Sequence, residues 1–222
     1  MDGSNPPLTA TIIILNKMFQ KFVHFDVGAN NGDTSVHIAK DHPNGLVYAF
    51  EPTPHMIEIT KSKSHHLRNY FLVEKAVSDY NGKAIFNVAG QADWGCSSLL
   101  SFSDKSQTDW PGRTDFVVTE EIEVDVIRLD SFIEENNIQQ IDYIKIDTQG
   151  SDLKVLQGLG KYISIVKAGS MEAAGKEDIL YYGQNTQGDS IKFLEDNGFK
   201  ITGIIANDEL VNEVMILFER NN

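Results

Sequence analysis

Short apolar runs alternate along this chain with segments in which hydrophobic residues recur at helical spacing. This alternation predicts buried strands joined by helices, as in an α/β protein with a mostly parallel sheet. The runs predict strands at residues 22–26, 46–50, 71–77, 141–147 and 165–172. Helical spacing predicts helices at residues 8–20, which would cover the sheet edge, at 33–40 with Asp33 as N-cap, and at 55–67, 152–162 and 189–197.

The last two apolar runs, residues 199–205 and 214–218, are separated by a short link that contains Asn207, Asp208 and Glu209. A parallel crossover needs a dozen or more residues, so this link predicts an antiparallel hairpin. We therefore expect an open, mostly parallel sheet that ends in a C-terminal antiparallel hairpin.

Residues 83–128 interrupt the regular alternation and predict a β-rich insertion before the fourth core strand. Strands are expected at residues 84–88, 116–118 and 122–126, the last because apolar and polar residues alternate there with a period of two. Residues 89–115 are rich in Gly, Ser, Asp and Trp, and a loop of this length is usually functional or disordered. We expect it to line or cover a substrate pocket. The alternative is a surface excursion with a packed aromatic side chain.

The segment Phe22–Gly32, FVHFDVGANNG, has the pattern of a strand, a tight ligand-binding turn and the start of a helix. A dinucleotide fingerprint needs two further glycines, where this chain has Asn30 and Asp33. Asn30 narrows the approach to the backbone, and Asp33 puts a carboxylate where phosphate oxygens would lie. Asp26 adds a second negative charge. The loop therefore suits a nucleoside cofactor with positive charge and no phosphate, and S-adenosylmethionine fits this description.

Glu51 ends the next predicted strand, 23 residues after Gly28. An acid about 20 residues beyond such a loop commonly accepts hydrogen bonds from ribose hydroxyls. Each acid also has an ordinary structural explanation, since Asp26 would order the turn, Asp33 would cap a helix and Glu51 would be a solvated charge. Their combination at this spacing predicts a nucleoside site. The expected cofactor-binding residues are Asp26, Gly28, Ala29, Asn30, Asn31, Gly32, Thr34, Ser35, Glu51, Pro52, Val77, Ser78 and Asp147.

Two acids at strand ends, Asp147 and Glu172, are candidate catalytic bases, because ligands of such sheets bind beyond the carboxyl ends of the strands. Lys145 shares a face with Asp147 and is a third candidate, since a lysine in a central strand is rarely buried without a carboxylate partner. The alternatives are a structural ion pair for Lys145 and Asp147 and a plain loop acid for Glu172. Candidate substrate contacts are Trp94, Ser97, Ser98, Gln149 and Tyr182.

Composition limits the possible functions. With 222 residues, 41% of them hydrophobic, the chain is expected to form a single domain, residues 1–222, with residues 1–21 as an N-terminal extension. A net charge of −13, from 19 basic and 32 acidic residues, argues against nucleic acid as a partner. Cys96 is the only cysteine, and no residue spacing requires a metal. The run Ile12–Leu15 is too short to span a membrane, so we expect a cytoplasmic protein without a membrane partner.

Five sequence blocks resemble the FkbM-type methyltransferase family. In chain order they are DVGANNGDTS, FEP, VDVIRLDSFIEEN, IDYIKIDTQGSDLKVLQGL and DILYYGQNTQGDSIKFLEDNGF, within residues 22–203. Many members have acid-Val-Glu-Gly-Ala-Glu where this chain has residues 147–152, so Gln149 replaces a carboxylate. The resemblance implies the class I methyltransferase fold. It also implies S-adenosylmethionine-dependent methyl transfer, usually to an oxygen of a sugar, a polyketide or another small hydroxylated metabolite.

Two other functions are compatible with parts of the sequence. A non-catalytic nucleoside-binding module would keep the loop but lose the acceptor-side acids, whereas Asp147 and Glu172 are both present. An NAD-dependent oxidoreductase is disfavoured by Asn30 and Asp33. We therefore expect an S-adenosylmethionine-dependent methyltransferase that acts on a hydroxyl group of a small molecule.

Overall fold

The computed structural model describes residues 22–90, 94–110, 112–175 and 180–221. Its strands are β1 (Val23–Val27), β2 (Leu46–Phe50), β3 (Tyr70–Val73), β4 (Ala76–Val77), β5 (Gly82–Ala89), β6 (Val118–Ile127), β7 (Tyr143–Ile146), β8 (Ala168–Ala174), β9 (Phe199–Ala206) and β10 (Glu213–Arg220). Its α-helices are α1 (Asp33–Asp41), α2 (Pro54–Ser64), α3 (Ser106–Asp109), α4 (Leu129–Glu135), α5 (Asp152–Gln157) and α6 (Gln187–Asp196). Two 3-10 helices are Trp94–Cys96 and Gly160–Ile165. The helix expected at residues 8–20 lies outside the described residues.

The central sheet has the strand order β3-β2-β1-β7-β8-β10-β9. β1 is parallel to β2 and β7, β2 is parallel to β3, and β7 is parallel to β8, whereas β10 is antiparallel to both β8 and β9. The prediction of an open, mostly parallel sheet with a C-terminal antiparallel hairpin is therefore confirmed. Its physical basis holds as well, because residues 207–212, which link β9 to β10, are too few for a crossover connection.

Apolar side chains cover both faces of the central strands. On one face Phe25 packs with Phe132 of α4 and Leu156 of α5. On the other face Val47 packs with Val36 of α1. Burial on both faces explains why these strands are continuous apolar runs in the sequence. The carboxyl ends of β1, β2, β7 and β8 meet at one edge of the sheet, where the polar residues of the candidate site follow.

A second sheet has the strand order β4-β6-β5, with β5 antiparallel and β4 parallel to β6. The strands expected at residues 116–118 and 122–126 differ from the observed structure, in which one strand, β6, continues from Val118 to Ile127. Thr119 and Glu120, which the sequence pattern left outside both strands, pair within this sheet or lie at its bulge. The interruption of the apolar pattern therefore marks a solvent-facing part of the strand and not a break.

The single strand expected at residues 71–77 is wrong. β3 ends at Val73, whose main-chain oxygen accepts a hydrogen bond from the amide of Lys75 at 2.9 Å. Ala76 then pairs with Val126 in the second sheet. The sequence pattern does not show that the chain passes from one sheet to the other here, because the residues before and after the turn are both apolar.

Two predicted helices also differ in detail. Asp33 is the first residue of α1 and not its N-cap; the N-cap is Gly32, which has a φ of 73°. The Asp33 carboxylate instead accepts a hydrogen bond from Lys63 Nζ at 2.6 Å. The helix expected at residues 152–162 is divided into α5 and the 3-10 helix that begins at Gly160, whose φ is +49°. None of the helices in the described ranges is long and apolar enough to cross a membrane.

Candidate active site

The glycine-bracketed loop lies between the carboxyl ends of β1, β2 and β7. The amides of Gly28 and Ala29 both donate to the main-chain oxygen of Phe50, at 3.1 and 3.0 Å. Gly28 has a φ of +80°, and an ideal Cβ built there would lie 1.9 Å from the main-chain oxygen of Asp147. A side chain at this position would force the backbone to move. Gly28 therefore allows the loop to pass directly beside the end of β7.

Glu51 is buried at the end of β2 and binds two main-chain amides. Its Oε2 accepts from the amide of Asn30 and its Oε1 from the amide of Thr53, both at 2.8 Å. An ionised carboxylate has about four acceptor positions, so Glu51 keeps capacity for a ligand. Burial raises the pKa of Glu51, and the hydrogen bonds from Thr53 and Asn30 partly oppose this rise.

Other loop residues predicted to bind the cofactor have protein partners. The main-chain oxygen of Asn31 accepts from Lys63 Nζ at 3.0 Å, and the hydroxyls of Ser35 and Tyr70 lie 3.1 Å apart. These contacts fix the start of α1 against α2 and β3. The predicted cofactor residues that do not line the adjacent cavity are Asp26, Ala29, Asn31, Gly32, Thr34, Ser35 and Ser78. Their part in cofactor binding stays a prediction.

A cavity of about 350 Å³ opens at this edge of the sheet. Small-molecule sites in proteins measure roughly 300–1,000 Å³, so its volume is that of a binding site. One cavity contacts both the predicted cofactor residues and the predicted acceptor residues. The predicted residues in its wall are Gly28, Asn30, Glu51, Pro52, Val77, Ser97, Asp147, Gln149 and Glu172.

Lys145 lies between two carboxylates on adjacent strands. Its Nζ is 3.1 Å from Asp147 Oδ2 and 3.5 Å from Asp26 Oδ1. Asp26 and Lys145 are register partners across β1 and β7, which accounts for the second contact. Burial alone would lower the pKa of Lys145, but the charges of Asp147 and Asp26 outweigh it and the pKa is raised. Lys145 therefore stays charged and pairs with a carboxylate, as the sequence indicates.

Gln149 connects the two candidate bases. Its Nε2 donates to Asp147 Oδ1 at 2.8 Å and to Glu172 Oε2 at 3.0 Å. Its Oε1 accepts from the hydroxyl of Tyr181 at 2.9 Å. The other oxygen of Glu172 accepts from Asn207 Nδ2 at 2.7 Å. Asp147, which directly follows β7, and Glu172, which lies within β8, thus face the same amide group.

Acids in or next to this part of the cavity have raised pKa values: Glu172 and Glu213 line the cavity, whereas Asp152 does not, and its Oδ1 accepts from the amide of Glu172 at 3.2 Å. Burial, followed by the charges of Asp147 and Asp152, raises the pKa of Glu172 well above its ordinary value. Burial and the charge of Asp147 raise the pKa of Asp152 to about 7. Burial and the charge of Asp152 likewise raise the pKa of Glu213 to about 7. Acids in this range take up and release protons near neutral pH, where general bases are effective.

The insertion forms part of the cavity wall. Ser97 lines the cavity, and its hydroxyl accepts from the amide of Ala89 at 3.0 Å. Ser98 does not line it, but its hydroxyl donates to the main-chain oxygen of Gln149 at 2.7 Å. Trp110 is buried in a cluster with Tyr181 and also lines the cavity. The described part of residues 89–115 therefore lines the cavity, as expected, and it also contains the packed aromatic side chain of the alternative, Trp110.

One candidate substrate residue, Tyr182, is placed away from the cavity. Tyr182 does not line the cavity; it is half exposed, and its hydroxyl accepts from the amide of Asp104 at 3.2 Å. The side chain of Trp94 lies outside the described residues. Their predicted contact with the substrate stays a prediction.

Several cavity residues escaped the sequence analysis. The hairpin contributes Asn207, Asp208 and Glu213, and the insertion contributes Arg113, which pairs with Asp115. The sequence pattern could have indicated the hairpin residues, because Asn207 and Asp208 directly follow a strand. The length of the link predicts only a hairpin turn. In the part of the chain that the structure describes, no group of three or more His, Cys, Asp or Glu side chains is arranged to hold a metal ion.

Residues 26–201 match the model of the methyltransferase FkbM domain. This segment is well over half of the chain. The chain belongs to the FkbM methyltransferase family. The resemblance that the sequence blocks indicated is therefore confirmed, and S-adenosylmethionine is confirmed as the cofactor at the level of this family and its fold.

Two relatives of this FkbM family chain carry methyltransferase names. The 2-O-methyltransferase NoeI of Sinorhizobium fredii is 29% identical over 168 residues, which cover 73% of this chain and 66% of the relative. Methyltransferase 1 of Beauveria bassiana is 26% identical over 142 residues, which cover 60% of this chain and 57% of the relative. The chain thus spans slightly less than two thirds of the first relative and a smaller share of the second.

Solved structures support the fold. A fibrillarin from Aeropyrum pernix, in complex with natively bound S-adenosylmethionine, superposes with a TM-score of 0.52 at 12% identity. The match covers 89% of this chain and 66% of the fibrillarin chain. At this identity the likeness establishes the class I methyltransferase fold and not a shared substrate.

The residues of this FkbM family site fit S-adenosylmethionine. Gly28 leaves the loop without the Cβ that would fill the space beside Asp147, and Glu51 offers a buried carboxylate with acceptor capacity to ribose hydroxyls. The cavity wall carries more acids than bases, which suits a cationic sulfonium better than a dinucleotide phosphate. The family assignment and the chemistry of the donor set therefore agree.

Proposed function

We propose that this chain catalyses methyl transfer from S-adenosylmethionine to a hydroxyl oxygen of a small molecule. One observation carries the proposal: a single cavity joins the Gly28 loop and Glu51 to the acids Asp147 and Glu172. A binding module would need only the first half of this arrangement. The name of the relative NoeI, a 2-O-methyltransferase, supports oxygen as the methyl acceptor.

On the cofactor side, Glu51 would accept hydrogen bonds from the ribose while its own position is fixed by the amides of Asn30 and Thr53. Gly28 would bring the loop backbone against the cofactor. When bound, S-adenosylmethionine supplies an electrophilic methyl group on a sulfonium and leaves as S-adenosylhomocysteine. Because the donor is already activated, the protein contributes chiefly by aligning the acceptor oxygen with the methyl group.

On the acceptor side, Glu172 would take the proton from the acceptor hydroxyl as the oxygen forms its bond to the methyl group. The raised pKa of Glu172 gives this carboxylate a higher proton affinity than an ordinary glutamate, which favours a base. Asp147, whose Oδ2 lies 3.1 Å from Lys145 Nζ, would orient the hydroxyl. Residues 89–115, through Ser97 and Trp110, would contact the rest of the acceptor.

The decisive experiment combines binding and turnover. Titration calorimetry should show S-adenosylhomocysteine binding to the purified protein and tighter than NAD. The protein should then be incubated with S-adenosylmethionine and a panel of hydroxylated metabolites, and products that gain one methyl group should be identified by mass spectrometry. Tighter binding of NAD would overturn the cofactor assignment, and methylation only of amines would overturn oxygen as the acceptor.

A further inference from the structure

Gln149 has a main-chain conformation that residues other than glycine rarely adopt. Its φ is +55°, and the φ of the following Gly150 is +92°. The Ser98 hydroxyl donates to the main-chain oxygen of Gln149 at 2.7 Å and fixes this turn. Because the chain turns here, the side-chain amide reaches carboxylates at the ends of both β7 and β8. Strained residues of this kind persist where the surrounding structure requires them.

The amide of Gln149 fits its surroundings in one orientation. Both N–H bonds of Nε2 are used, one toward Asp147 at 2.8 Å and one toward Glu172 at 3.0 Å. When both carboxylates are ionised they only accept hydrogen bonds, and in that state rotating the amide by half a turn would put Oε1 against two acceptors. On the opposite side the Tyr181 hydroxyl lies 2.9 Å from Oε1, and burial raises the pKa of Tyr181 so that it keeps its proton.

Without the Gln149 amide, the ionisation of Asp147 and Glu172 would be less favourable. Adjacent buried acids disfavour simultaneous ionisation, and they commonly share one proton between them. Two N–H donors stabilise the charged form of each acid. The charged or titratable groups that act on Glu172 are Asp147, Asp152, Glu213, Lys145 and Tyr181, while Asp208 and Arg113 act on Glu213.

We propose that Gln149 is a positioning residue that keeps Asp147 and Glu172 as two separate hydrogen-bond acceptors and thereby sets the protonation state of this pair. The inference rests on the proposed function for its catalytic meaning, because Glu172 can accept a proton from the substrate only while it is ionised. The hydrogen bonding itself does not depend on that function. Gln149 thus acts through the two acids.

The test is a carbon-13 NMR titration of the side-chain carboxyls of Asp147 and Glu172. In Gln149→Leu, which keeps most of the side-chain volume but removes both donors, the pKa of Glu172 should rise by about 1 unit. In Gln149→Glu a third carboxylate should raise it further. The matched control is Gln139→Leu, since Gln139 is exposed and its amide donates to Asn137 only, and this variant should leave the titration unchanged.

The wild-type protein gives an independent measurement that needs no substitution. The nitrogen-15 resonance of Gln149 Nε2 should move with pH, with the same midpoint as the Glu172 carboxyl carbon, because the two groups share a hydrogen bond. The proposal would be overturned if the Nε2 chemical shift stayed constant over the pH range in which Glu172 titrates. It would also be overturned by a folded Gln149→Leu protein in which both carboxyls titrate as in the wild type.

Failure of this inference can be told apart from failure of the proposed function. Wild-type protein that binds no S-adenosylhomocysteine, yet shows the expected coupling between Gln149 and Glu172, would remove the methyl-transfer proposal and keep the role of Gln149. Conversely, cofactor binding with uncoupled titrations would keep methyl transfer and reject Gln149 as the positioning residue. Once an acceptor is identified, the acid limb of the kcat profile should move to higher pH in Gln149→Leu, a change that a purely structural role would not cause.

Discussion

The main-chain oxygen of Asp147 lies in the space that a Cβ of residue 28 would need, 1.9 Å from an ideal Cβ built on Gly28. β1 and β7 are parallel neighbours, so their carboxyl ends meet at the same edge. The amide of Asp147 donates to the main-chain oxygen of Val27 at 2.9 Å and draws the two chain segments together. The Gly28 loop and the end of β7 at Asp147 are therefore in direct backbone contact.

Gly28→Ala should destabilise the protein and abolish binding of S-adenosylhomocysteine. Two costs add: a left-handed φ costs a residue with a side chain about 1–2 kcal/mol, and the clash with Asp147 must be relieved by moving the loop. Thermal unfolding and calorimetry measure the two effects. The matched control is Gly183→Ala, because Gly183 has a φ of +82° but nothing within 4 Å of an added Cβ. If Gly28→Ala and Gly183→Ala lower the free energy of unfolding equally, the clash with Asp147 does not contribute to the loss of stability.

Glu51→Ala should weaken S-adenosylhomocysteine binding by about 1.5–3 kcal/mol, the usual worth of hydrogen bonds to a charged group. Part of this loss would come from the loop, because the amides of Asn30 and Thr53 would lose their acceptor. Glu51→Gln keeps one acceptor oxygen and should weaken binding less. Glu58→Gln, on the exposed side of α2, serves as the control. Wild-type affinity in a folded Glu51→Gln protein would mean that Glu51 does not contact the ribose.

Asp147→Asn and Glu172→Gln should lower turnover by roughly 10²–10⁴-fold and change cofactor affinity much less, with the larger loss in Glu172→Gln. The amide of Glu172→Gln cannot accept the proton of the substrate hydroxyl, and the amide of Asp147→Asn orients that hydroxyl less strongly than a carboxylate does. Steady-state kinetics on the acceptor found by mass spectrometry, with Glu219→Gln on the exposed end of β10 as control, measures the effect. Near-normal turnover in both variants would mean that neither acid is a base and that the protein acts only by aligning the acceptor oxygen with the methyl group. Activity lost to a chelator and restored by magnesium would assign the pair to metal binding instead.

Stability should fall as the pH rises from about 5 to 7. Burial raises the pKa of Asp152 and of Glu213 to about 7, whereas unfolded acids titrate near 4. Between these values the folded state holds protons that the unfolded state has released. Each such group therefore lowers the free energy of unfolding by up to about 1.4 kcal/mol per pH unit, and the full stability is present below pH 4 to 5.

Urea unfolding at several pH values tests this sign. Asp152→Asn, which cannot ionise, should flatten the dependence between pH 5 and 7, because one of the buried acids no longer releases a proton. Asp125→Asn replaces an exposed acid on β6 and should leave the slope as it is in the wild type. An Asp152→Asn slope equal to that of the wild type would show that Asp152 is ionised in the folded protein; comparing the two proteins cancels the opposite contribution of His24, whose pKa is lowered to about 4 by burial.

The proximity of the Gly28 loop to Glu51 could be predicted because these residues are close in sequence, whereas their binding of the cofactor stays a prediction. The loop from Asp26 to Gly32 is contiguous, and Glu51 follows one strand–helix–strand unit later, so spacing alone brings them together. Their sequence pattern predicted which residues would meet. The hydrogen bond between Asn30 and Glu51 is the contact that this spacing makes possible.

The acceptor half depends on contacts between distant segments. Gln149 reaches Tyr181 and Ser98, and Glu172 reaches Asn207, across 32, 51 and 35 residues. Hydrophobic periodicity carries no information about such polar partners. It also missed the turn after Val73, because a strand that changes sheets keeps the apolar pattern of one that continues.

Two of the hydrogen bonds that join the insertion to the rest of the site involve Ser98 and Tyr181: Ser98 Oγ donates to the main-chain oxygen of Gln149, and the Tyr181 hydroxyl, which shares its one proton with Gln149 Oε1, lies 2.9 Å from the main-chain oxygen of Cys96. A chimera that exchanged residues 83–128 for the corresponding segment of another protein would break both contacts unless the new segment restored them. Each lost partner would leave a buried polar atom unpaired. An exchange of residues 83–128 intended to change the substrate would therefore have to include residues 149 and 181 of the donor protein as well.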